Sequence, residues 1–61
     1  MNYVSVTAEI EDIISGLLLT GRYGWASTLR MQISAAKGHL ETLCEIKRNA
    51  EKMMQAAGVE A

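Results

Sequence analysis

From Ala26 to Ala57, apolar or small residues, broken once by Lys47, recur at spacings of three and four in strict alternation: Ala26, Leu29, Ile33, Ala36, Leu40, Leu43, Lys47, Ala50, Met54 and Ala57. No other feature narrows the fold so far. A mean spacing of 3.5 keeps one face of an α-helix buried and suits no strand, whose side chains alternate with a period of two. The pattern predicts one long helix over residues 25–57, with Gly58 closing it.

A second stripe precedes it. Tyr3, Val6, Ile10, Ile13 and Leu17 follow the same spacings, and Ile14 and Leu18 widen the face to that of a globular helix. This predicts helix 1 over residues 6–20, with Ser5 or Thr7 as N-cap and Glu9, Glu11 and Asp12 near the positive end of the helix dipole. Gly21 follows the last periodic residues as a left-handed stop, so residues 21–24 form the bend. The expected fold is all-α, a single domain over residues 1–61 built as an antiparallel helical hairpin. The stretch "AAKGH" also fits a helix ending at Lys37, but the seam passes Gly38 without changing phase, which favours one continuous helix.

Helix 2 would be about 50 Å long and helix 1 about 22 Å. Helix 1 then covers only half of its partner. The distal residues Leu40, Leu43, Ile46, Lys47, Ala50, Met53 and Met54 need another cover, and a second copy supplies one. Composition points the same way: a chain of 61 residues has little surface to bury, and Cys44 and His39, each the only residue of its type, allow neither an intrachain disulfide nor a zinc set. The expectation is a homodimer with no metal and no cofactor.

The lone cysteine, the unbasic start "MNYVSVTAEIEDI" and the short apolar run Leu17 to Leu19 lead to an expectation of a cytoplasmic chain without a signal peptide or membrane span. Net charge is −1, so nothing draws the whole chain to nucleic acid or anionic lipid. The signs are segregated, however. Residues 1–21 hold Glu9, Glu11 and Asp12 with no base, and residues 22–39 hold Arg22, Arg30 and Lys37 with no acid. Pairing between the two antiparallel segments would account for this.

The bend "TGRYGWAST" carries the only Trp and one of two Tyr. Trp25, beside seam residue Ala26, is expected to seal the end of the core. Arg22 and Tyr23, next to flexible glycines, are candidate partner-binding anchors together with Trp25, because Trp, Tyr and Arg dominate binding energy at interfaces. Lys47 interrupts the seam and either sets register or packs its stem and extends its ammonium to solvent. Met53 and Met54 read as core filler, His39 as surface and Cys44 as an apolar flank. No nucleophile, base and orienting group converge, so no enzyme is expected. Glu41 and Glu45 lack the accompanying Glu-x-x-His of a di-metal bundle.

Two functions remain. The first is a non-enzymatic protein–protein interaction module, a homodimeric regulator or inhibitor of another protein. The second is a small DNA-binding regulator using Ser27, Thr28, Arg30 and Gln32 at the start of helix 2, which would need more Lys and Arg than the chain has. In size and helical content the chain resembles the short accessory proteins of temperate, lambda-like bacteriophages. That resemblance implies binding to a host or phage protein in the host cytoplasm and carries no site residues.

Overall fold

A computed structural model describes residues 2–58, and these form three α-helices: α1 over Tyr3–Leu19, α2 over Tyr23–Ala36 and α3 over Leu40–Ala57. The single helix expected over residues 25–57 is therefore two. Lys37 adopts a left-handed conformation at φ 50°, and Gly38 follows at φ 77°. Two such residues in succession end a right-handed helix. The physical reason for the break is economy of burial. Turning back at Lys37–His39 lays Leu43, Ile46 and Ala50 of α3 onto the chain's own core, so these three residues of the stripe that a straight helix would leave uncovered are buried within one chain.

The remaining boundaries follow from local chemistry. Asn2, rather than Ser5 or Thr7, caps α1: its side-chain oxygen accepts from the Ser5 amide at 2.9 Å, so the helix starts three residues earlier than its acidic residues imply. At the other end Gly21, at φ 78°, lets the Arg22 amide donate to Leu17 O at 2.8 Å and its own amide donate to Leu18 O at 3.1 Å. This paired closure satisfies carbonyls that the last turn would leave bare. Helix α2 begins at Tyr23, so the second half of the expected bend is its first turn.

Two short connections make the helices run up, down and up, and each touches both others. The core takes Val6, Ile10, Ile13, Ile14 and Leu17 from α1, Ala26, Leu29 and Ala36 from α2, and Leu43, Ile46 and Ala50 from α3. No polar or charged residue among those described is buried in it. Cys44, Met53 and Met54 pack half-buried against this cluster, whereas Leu40 stays exposed at its edge. Of the residues expected to meet a second copy, Leu43, Ile46 and Ala50 are thus spent on the intramolecular core.

Candidate functional surface

Lys47, the polar residue in the seam, lies at the α1–α3 junction. Its Nζ is 2.8 Å from Glu9 Oε2, and its side chain is 25% exposed. The hydrogen bond from the ammonium to Glu9 holds the Lys47 pKa above its ordinary value, against a smaller opposing effect of burial. Among the described residues this is the one ion pair, and it joins α1 to α3. The acids of α1 do not pair with Arg22, Arg30 or Lys37 as the charge split implied. Glu11 and Arg30 share the walls of one groove without forming a salt bridge.

The bend end of the bundle is apolar and open. Leu19 is 89% exposed, Tyr23 67% and Trp25 38%. Trp25 is thus partly exposed, whereas Ala26 and Leu29 beside it are buried. The helix period explains the difference, because Trp25 precedes the buried position and falls on a flank of α2. The Arg22 Cζ atom lies 5.8 Å from the centre of the Trp25 ring, and its Nη1 donates to Thr20 O at 3.2 Å. Both contacts hold the guanidinium beside the indole, where cation and ring face attract.

This apolar character continues along α2. Opposite its buried face, Gly24, Thr28, Met31 and Ala35 form the outermost ridge, and Met31 is 70% exposed. Arg30 is the only charged residue of α2, whereas the outer faces of α1 and α3 carry Glu11 and Asp12, and Glu41, Glu45, Arg48 and Lys52. An uncharged outward face on one helix of three is unusual for a surface meant only for water. Met31 was missed by sequence reasoning, although its position out of phase with Leu29 and Ile33 marked it as outward-facing.

Grooves flank the ridge. Between α2 and α3, one of about 600 Å³ is lined by Gln32, Ala35, Ala36, Lys37, His39, Thr42 and Ile46. A smaller extension reaches Glu45 and Asn49. Gln32 Oε1 is buried there and accepts no hydrogen bond from any described group. Between α1 and α2, Glu11, Ile14 and Ser15 face Arg30, Ile33 and Ser34.

The residues suited to nucleic acid are dispersed. Thr28 donates its hydroxyl to Gly24 O at 3.0 Å, and Glu11 shares the groove of Arg30. Among the described residues no three His, Cys, Asp or Glu side chains gather as metal ligands, and no helix is long and apolar enough to cross a membrane. Comparison with protein-family models, with curated proteins and with solved structures finds no match to this chain.

Proposed function

We propose that the chain is a small non-enzymatic interaction module that regulates or inhibits another protein by occupying part of its surface. The observation that carries this reading is the exposure of Leu19, Tyr23 and Trp25 at one end of the bundle, with Arg22 held against the Trp25 ring. Interfaces derive most of their energy from a few Trp, Tyr and Arg side chains set among apolar neighbours. Here Leu19 and Tyr23 stand largely in solvent and Trp25 in part, and none of the three belongs to the buried core cluster. The complementary partner face is an apolar pocket with a carboxylate at its rim for Arg22.

A photo-crosslinking amino acid in place of Leu19 tests this, using the full chain in a cell extract. A discrete crosslinked protein is expected, and it is lost when Trp25→Ala or Tyr23→Ala is added while helicity and melting temperature are retained. A crosslinking pattern that neither substitution changes would overturn the anchor role.

A further inference from the structure

We infer that the turn at Lys37–His39 is a hinge, and that on opening it α2 and α3 join into one helix whose distal half, α3, exchanges with the α3 of a second copy. The product is a domain-swapped dimer. Each half of it is the three-helix bundle already described, with α1 and α2 from one copy and α3 from the other.

The periodicity makes the two arrangements interchangeable. Counting outward from Gly38, Ala36 and Leu40, Ile33 and Leu43, and Ala26 and Ala50 stand at equal distances. A hairpin that turns at Gly38 sets each pair at one level. Two straight helices crossing antiparallel about a two-fold axis at Gly38 set the same pairs at the same levels, one member from each copy. The phase that the turn leaves intact also keeps these residues on one face of the joined helix, which is about 50 Å long over residues 23–57. The Lys47–Glu9 pair re-forms likewise, from α3 of one copy to α1 of the other. The exchange therefore re-uses the core contacts of the single chain.

The joint itself lowers the cost of opening. Among the described residues Lys37 is the only non-glycine at positive φ, a conformation in which its Cβ crowds the following carbonyl. One backbone hydrogen bond, from His39 N–H to Ala36 O at 2.9 Å, ties the joint back to α2, and no side chain caps α3 at His39. Straightening returns Lys37 to right-handed geometry and pairs the last carbonyls of α2 with the first amides of α3. Against this stand Gly38, a poor helix former, and the entropy of bringing two chains together, so the closed chain prevails in dilute solution. The turn end also carries Tyr3, Val4 and Leu40, all exposed, and the two halves of the dimer meet at that end. The bend ends, with Leu19, Tyr23 and Trp25, lie at the two far extremities. On the reading of those residues as an anchor the dimer engages two partners, whereas the exchange itself does not depend on that reading.

Refolding of the full chain from urea at micromolar and at millimolar concentration, followed by sedimentation, tests the hinge. A dimer is expected from the concentrated sample. Gly38→Ala, which suits the joined helix and not the left-handed turn, is expected to tighten it about a hundredfold, or about tenfold for each of its two joints. Lys37→Gly, which relaxes the turn and weakens the helix, is expected to loosen it by a similar factor. Charge reversal then distinguishes exchange from docking of closed chains. Lys47→Glu and Glu9→Lys each set like charges across the α1–α3 junction, and only exchange of α3 between the two variants makes both junctions opposite in charge. Refolded together at low ionic strength, they are expected to give mixed dimers in excess over a random mixture, counted by native mass spectrometry. A Gly38→Ala chain that stays monomeric at millimolar concentration, a dimer equally tight in both hinge variants, or charge-reversed chains that mix at random would each overturn the inference. None of these outcomes alters the crosslink through Leu19, which tests the proposed function separately.

Discussion

A methyl group added at Gly24 meets open space in the first turn of α2, whereas one added at Gly38 enters a left-handed backbone with the Tyr3 ring 3.7 Å away. The same substitution therefore has opposite signs at the two sites. Gly24→Ala is expected to raise stability by about 0.5–1 kcal/mol, because the helix already holds that residue in a conformation alanine prefers. Gly38→Ala is expected to lower it by about 1–2 kcal/mol, the ordinary cost of forcing a side chain into left-handed geometry. Urea unfolding of the two variants in dilute solution checks both. The residue types of the candidate surface were legible in the sequence, since Arg22, Tyr23 and Trp25 stand together in one stretch. Their exposure was not, because it depends on where α2 begins. A start at Tyr23 sets Trp25 on a flank within the first turn of α2, whereas the expected start at residue 25 would have made it the first helical residue.

At the scale of elements, periodicity specified which faces are buried but not how many helices carry them. Ala36 and Leu40 are four residues apart whether the chain between them is helical or turns back, so the turn at Lys37–His39 keeps the phase of the seam and hides in it. Gly38 was the remaining signal, and only the gain from burying α3 within one chain gives it weight. α1 and α3 are then tied by Lys47 and Glu9. Because the hydrogen bond to Glu9 raises the Lys47 pKa in the folded state, its contribution is fully present below the ordinary value of 10.5 and declines as pH rises through the raised one. Lys47→Met lacks that decline. Thermal unfolding of both proteins from neutral pH to about pH 11.5 is expected to show wild type losing its advantage only above about pH 10. A difference that does not change with pH would show that Lys47 acts by packing alone.

For the molecule as a whole, one apolar cluster draws on all three helices, so no helix has a core of its own. Leu43, fully buried on α3, reports on all of them. Leu43→Ala is expected to cost about 2–5 kcal/mol, a large share of a small domain's stability. The loss is cooperative: circular dichroism from every helix and fluorescence from Trp25 on α2 fall in one coincident transition. An α2 signal that outlasts the α3 helicity would show the bundle to be divisible. The up-down-up course of the chain also bears on speed. Its connections, residues 20–22 and 37–39, are about as short as a reversal between helices allows, so bringing neighbours together closes almost no loop and the entropic cost grows little along the way. Helical bundles with such local contacts fold in about microseconds to milliseconds. A newly made chain thus hides the isoleucines and leucines of its core within that time, long before a second chain at cellular dilution arrives, and any pairing between copies begins from two finished domains.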